Sequence, residues 1–363
     1  MKLLSISALM IFTAVILLLT VGCDRKVTGN VNFPDNSSVG CFSCHSDSDV
    51  ALRVARIQYE NSVHATGDNS NRNRLYSANY QACERCHTHQ GFVAFVTGVP
   101  AAGDNFTHIE CFTCHAPHTN GDLRLRVETA VTLENGTVFD RGPANLCATC
   151  HHSRANVTTT VVDGVNMNSR YGPHHSNQSD MLIGTNAYEY AGYTYTRSWH
   201  STGVTEGCIM CHMSPSEHET VGGHSWWMRN EDRGFQNISG CNATGCHDTA
   251  KLTTLDRPAF ADYDFDGTIE GVQDEVKGLA DSLKVLLQAA NLLTSAGVPV
   301  SRTVATADSA GAVYNFVFIE EDRSFGVHNT DYSVGILQSS INFILTGDPN
   351  GAPHSKFTML NSH

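Results

Sequence analysis

Apolar residues are distributed along this chain in three regimes. Residues 3–22, LLSISALMIFTAVILLLTVG, form a nearly uninterrupted hydrophobic run directly behind Lys2. From Cys41 to His247 the sequence is rich in Asn, Ser, Thr and Gly and lacks sustained apolar spacing. Such a segment rarely builds a conventional core alone. From about residue 267 the pattern changes again. Val272, Val276, Leu279, Leu283, Leu286 and Leu287 recur at helical spacing and predict an amphipathic helix, with Gly297 as its stop. Residues 330–347 predict a second helix ending at Gly347, while 311–321, GAVYNFVFIEE, suits either a strand or part of a helix.

The leading run has the length of a membrane span and the anatomy of an export signal. It closes in LTVGC, where small Gly22 precedes Cys23. That ending resembles a bacterial lipobox, with Thr20 where an aliphatic residue is usual. The reading is therefore a lipoprotein signal over 1–22 with lipid on Cys23, ahead of an uncleaved anchor or a plain signal peptide. Each alternative puts the mature chain outside the cytoplasm, as a periplasmic or cell-surface protein. A polar linker fills 23–40, a cysteine-punctuated region spans 41–260, and a helical cap occupies 261–363.

Composition adds two constraints. A net charge of -13 on 363 residues disfavours nucleic acid, which selects a basic face, and no Lys/Arg cluster suggests a polybasic membrane patch. Thirteen cysteines and nineteen histidines are the departures from ordinary usage.

Apart from Cys23, the cysteines form six pairs, each followed at once by histidine. Five are C-x-x-C-H: Cys41/Cys44/His45, Cys83/Cys86/His87, Cys111/Cys114/His115, Cys147/Cys150/His151 and Cys208/Cys211/His212. The sixth, CNATGCH, separates Cys241 and Cys246 by four residues before His247. Two thiols at this spacing reach the two vinyl groups of one haem, and the adjacent histidine is placed to ligate the iron. Random placement of these residues would give about 0.02 C-x-x-C-H motifs. Disulfides would not require a histidine beside each pair, and zinc would need two pairs per ion. Six covalent haem c groups follow, each a large apolar body that a polar chain can fold around.

Thirteen histidines remain beyond the six proximal ones. A second imidazole would make an iron six-coordinate and suited to passing electrons. A weak repeat, SVHATG at 62–67 and SWHSTG at 198–203, offers His64 and His200. Residues 83–260 also resemble a family of multihaem c-type cytochromes from anaerobic, often metal-reducing bacteria. The resemblance rests on CERCHTHQGF, CFTCHAPH, LCATCHHSRANV, YGPHHSNQSDML, CIMCHM and GGHSW, with the later DYDFDGTIEGVQDEV and GVHNTDY. It implies bis-histidine haems in a row, with His118, His224, His328 and one of His174 or His175 as distal ligands. His118, three residues after His115, is placed to cap a neighbouring haem and not its own. His108 is the chief substitute, His89 and His152 read as polar neighbours, and His354 and His363 lie in a terminal tail.

DYDFDGTIEGVQ, residues 262–273, sets Asp262, Asp264 and Asp266 at alternate positions before Gly267, as in an EF-hand calcium loop. Gln273 stands where that loop needs a bidentate Glu, leaving Asp274 or Glu270 as substitutes. The fold class expected is coil and short α-helices wrapped around a chain of haems, with little β and a helical C-terminal cap. The function expected is electron transfer between redox proteins outside the cytoplasm, not catalysis. The alternatives are a multihaem reductase or dehydrogenase with one open haem, and a subunit of a conductive extracellular filament.

Overall fold

The computed structural model describes residues 50–66, 81–101, 106–116 and 123–351, all within one compact unit, Asp35–His363. Several expectations fall outside the described residues: the leader with Cys23, the first haem motif with Cys41, Cys44 and His45, and the histidines His118, His354 and His363.

The expectation of coil and short helices holds. Among the described residues between Val50 and Phe260 the longer helices are α1 (Val50–Glu60), α2 (Gln81–His87) and α3 (His89–Thr97), and the remaining helices are one or two turns. Thr88 separates α2 from α3. Its side chain accepts from Gly91 N and so caps the second helix, which ends at Gly98 in the left-handed conformation. Among the described residues, strand is limited to two-residue hairpins, β1 (Val131–Thr132) with β2 (Val138–Phe139) and β4 (Arg229–Asn230) with β5 (Phe235–Gln236), and one longer pairing. In that pairing β3 (Val165–Met167) runs antiparallel to β6 (Arg302–Val304), with Val165 opposite Val304.

The C-terminal region is built from α4 (Val272–Ala289), α5 (Ala307–Asp322) and α6 (Thr330–Thr346). All six periodic apolar residues of α4 are buried, and Asp274 and Glu275 complement its dipole in the first turn. The helix stops at Ala290, earlier than Gly297, because Leu292 and Leu293 fold back so that their amides donate to Leu287 O. The stretch 311–321 is helical. Thr306 caps α5 by accepting from Ser309 N. Because α5 buries residues all round, from Ala310 to Phe318, its sequence carries no one-sided stripe. Asn329 caps α6, which ends at Gly347.

The largest apolar core unites these helices with Val161, Met167, Tyr171, Met181 and Ala187 from the cysteine-punctuated region. Tyr188 packs so closely on Gly311 that a Cβ there would lie 2.1 Å from its ring. Residues 155–195 therefore belong to the same core as the helical region, and that core holds the surrounding loops in place. No helix among the described residues is long and apolar enough to cross a membrane.

Candidate functional site

Five histidines that follow cysteine pairs each face a histidine from a distant part of the chain. His64 and His151 have ring centroids 6.2 Å apart, as do His212 and His328. His200 and His247 stand at 6.3 Å. His87 and His174, and His115 and His224, stand at 6.4 Å. The other ring contacts scatter widely, from His218 on Phe235 at 3.6 Å to Tyr59 with His108 at 6.5 Å, whereas these five fall within 0.2 Å of one another. An imidazole nitrogen binds a first-row metal at about 2.0–2.1 Å and lies just over 1 Å from its own centroid, so two coaxial imidazoles on one ion have centroids about 6.3 Å apart. The five separations match that value, and the residues fit an iron between each pair.

The hydrogen bonds select the correct nitrogen. His200 Nδ1 lies 2.8 Å from Val327 O, His212 Nδ1 2.8 Å from Trp226 O, and His115 Nδ1 2.6 Å from Leu123 O. His151 Nδ1 is 3.2 Å from Gln178 Oε1. A carbonyl can only accept, so Nδ1 carries the proton and Nε2 keeps the lone pair a metal needs. Burial pushes His64 and His212 down to about 4, and lowers His200 and His224. At neutral pH these rings are in their ligating form. His328 differs: burial lowers it, but the Asp322 carboxylate, 2.6 Å from Nδ1, outweighs burial and raises it.

Local structure explains the placement. His64 and His200, the two repeat histidines, each lie on a single-turn helix, Val63–Thr66 and His200–Gly203. His115, His151 and His212 each donate their backbone N–H to the carbonyl of the first cysteine of the motif, Cys111, Cys147 and Cys208, at 2.8–3.0 Å. His247 donates to Cys241 O in the same way at 2.9 Å. The two extra residues of CNATGCH are absorbed by a turn in which Gly245 has φ 84°, and Asn242 ties that turn to Leu252 through both amide atoms. The wider motif thus closes on its first cysteine as the standard ones do.

Of the adjacent pair, His174 faces His87, whereas the mostly exposed His175 turns to Glu321, 2.7 Å away. His89 is fully buried against Thr113 Oγ1 at 2.9 Å, and His152 is bonded to Ala148 O at 2.7 Å. His108 stacks on Tyr59. The ten described cysteines are free of disulfides. Thiols from different motifs lie near one another, Cys86 beside Cys150 and Cys147 beside Cys208.

The acidic loop needs correction. Oxygens of Asp262, Asp264 and Glu275 lie within 4.8 Å of one another, whereas Asp266 is exposed and its Oδ1 accepts from Thr268 N instead. Neither Glu270 nor Asp274 supplies the further carboxylate. Glu275 does, from the first turn of α4, fully buried and accepting from Tyr263 N, Asp264 N and Glu270 N. Asp262 Oδ1 is buried with no hydrogen-bond partner. Burial, with Asp266, Glu275 and Asp262 nearby, pushes Asp264 up to about 6.

Sequence reading missed Glu275, just past the twelve-residue loop frame, Asp322, six residues before His328, and Trp226, fourteen residues after His212. No protein-family profile matches the chain. Two relatives from Geobacter sulfurreducens do. The C-type polyheme cytochrome OmcB is 23% identical over 335 residues, covering 73% of this chain and 44% of the relative. The C-type polyheme cytochrome OmcC is 25% identical over 352 residues, covering 75% and 44%. The chain thus spans under half the length of these curated relatives. A solved structure, the outer cell wall cytochrome OcwA, aligns with a TM-score of 0.48 at 20% identity, over 80% of this chain and 50% of that one. The resemblance to multihaem c-type cytochromes read from the motifs is matched by both relatives.

Proposed function

We propose that this chain, which resembles polyheme c-type cytochromes over some three quarters of its length, is a bis-histidine electron carrier with six covalent haems. Haem c, when bound, supplies reversible one-electron chemistry at potentials set by its ligands and surroundings. The observation that carries the reading is the set of five histidine pairs at 6.2–6.4 Å. Two imidazoles per iron leave no position for a substrate, which favours transfer over the reductase reading.

The chain's own residues divide the work. Cysteine pairs anchor, and the histidines after them ligate from one face. His64, His174, His200, His224 and His328 ligate from the other. The remaining motif, Cys41, Cys44 and His45, is left with His118, the distal ligand that the family resemblance implies. The proximity of Cys86 to Cys150 and of Cys147 to Cys208 brings attachment points of three different sites together, which supports a path between those three. Donors and acceptors are redox proteins met outside the cytoplasm, where a lipid on Cys23 would hold the chain at a membrane. Asp262, Asp264 and Glu275 would bind calcium, a cation that takes clustered carboxylate oxygens, and tie the loop to α4.

The test is spectroscopic. Purified oxidised protein should be wholly low-spin and, once reduced, should not bind carbon monoxide. A high-spin signal from any haem would favour the reductase, and polymers in micrographs would favour the filament.

A further inference from the structure

One residue touches three of the five histidine pairs. The Trp226 ring meets His64 edge-on at 4.7 Å and 83°, and meets His224 at 5.7 Å and 70°. The Trp226 carbonyl accepts from His212 Nδ1 at 2.8 Å. Those histidines face His151, His115 and His328 respectively, so they belong to the sites attached at Cys147/Cys150, Cys111/Cys114 and Cys208/Cys211.

The backbone around Trp226 is unusual and firmly held. Trp226 sits at φ 55°, ψ -1°, in the left-handed region that a bulky side chain seldom adopts. Such a conformation persists where its surroundings over-determine it, and it marks functional positions. The surroundings do so here. Trp226 N donates to Gly223 O, and Gly222 N donates to Trp227 O. Gln58 of α1 packs where a Cβ on Gly223 would lie, and its Oε1 accepts from His224 N at 3.1 Å. Trp227 Nε1 reaches Asn61 O at 3.2 Å. The turn is therefore pinned to α1, the helix just ahead of His64.

We propose that Trp226 is a shared positioning residue for three haem sites, acting on two through its indole and on the third through its carbonyl. The inference rests on the bis-histidine reading. An indole wedged between His64 and His224 fixes the rotation of both rings about their metal bonds. The carbonyl does the same for His212 by holding its Nδ1 proton. Three electron-carrying centres thereby share one mechanical support.

The separate roles of ring and carbonyl make the idea testable. Trp226→Gly removes the indole, suits φ 55° and keeps the carbonyl. The readout is low-temperature electron paramagnetic resonance of the oxidised holoprotein, whose low-spin g values follow the angle between the two imidazole planes. Signals are first assigned with variants lacking single cysteine pairs. In Trp226→Gly the signals of the Cys147/Cys150 and Cys111/Cys114 sites should move. Those of the Cys208/Cys211, Cys83/Cys86 and Cys241/Cys246 sites should stay. Trp226→Phe, which keeps an aromatic wedge, should move the same two signals less, and it serves if the glycine variant does not mature. Unmoved signals, or equal movement of all signals, would overturn the inference. A high-spin signal in the native protein at any of the three sites would instead overturn the bis-histidine reading beneath it.

Discussion

Asp322→Asn isolates one electrostatic effect on one haem site. Where His115, His200 and His212 face backbone carbonyls, His328 faces a carboxylate at 2.6 Å whose side chain is 1% exposed. The other Asp322 oxygen is held by Ser324 through its backbone N–H and its hydroxyl. A negative charge so placed stabilises ferric over ferrous iron and lowers the potential of the site shared by His212 and His328. Through the ring, the carboxylate oxygen lies about 7 Å from the metal position, which at an effective dielectric of about 20 corresponds to about 2.4 kcal/mol. For a one-electron couple that is about 100 mV. The asparagine keeps the shape and an acceptor for Nδ1–H while removing the charge. The assay is a spectroelectrochemical titration of native and variant protein side by side, with haem content checked first. One component should rise by about 100 mV while the others, farther away, move far less. A rise below about 20 mV in every component would refute the argument, as would a uniform shift of all of them.

Four further outcomes are expected. Intact mass should exceed the processed polypeptide by six haems, and five would show that Cys241/Cys246 is not used. His118→Met should raise the potential of one haem, because thioether ligation raises it. That haem should not be the one at Cys111/Cys114, since His224 already faces His115, and a change confined to it would contradict the pairing. Calcium at a hundredfold excess over its dissociation constant should stabilise the protein by about 3 kcal/mol without altering haem absorbance. Asp264→Asn should abolish that gain, and a melting temperature indifferent to chelator would remove the site. Asp180 is fully buried, and burial pushes it up to about 6 against the opposing bonds from Ser153 N and Asn186 Nδ2. The native state therefore holds a proton that the unfolded chain has lost, so this contribution to stability is complete below about pH 4 and disappears as pH rises through about 6, roughly 3 kcal/mol in all. Denaturant titrations should show that decline in the native protein and a flatter profile in Asp180→Asn.

How much the sequence revealed follows from the range of each interaction. A histidine directly after a cysteine pair has its place dictated by covalent chemistry over a few residues, so the proximal set could be read without any fold. The helical cap was legible where burial is one-sided, as in α4, and ambiguous in α5, where residues from Ala310 to Phe318 are buried on every side and no period survives. Which histidines face each other was not legible. His64 and His151 are brought together by the folding of loops around a core centred elsewhere, and nothing local in SVHATG names its partner. Glu275 was missed for a related reason: the loop was read on twelve-residue EF-hand spacing, while the third carboxylate comes from the first turn of α4, beyond that frame.

The sixth motif shows how a local irregularity can leave the facing-histidine geometry intact. In the standard motif the histidine amide bonds the carbonyl four residues back, as in a helical turn, and the two thiols project from that turn. In CNATGCH the same bond spans six residues, from His247 N to Cys241 O, so the ring closed by the backbone is larger. The excess is taken up at Gly245, where a left-handed φ costs little, and is held by the Asn242–Leu252 pair and by Asp248, which accepts from Gly245 N. His247 then meets His200 at 6.3 Å, inside the spread of the standard sites. If that argument is right, Gly245→Val, which cannot adopt φ 84° without strain, should lose the haem at Cys241/Cys246 and spare the other five. Retention of all six haems in that variant would show that the turn does not govern the spacing of the two thiols.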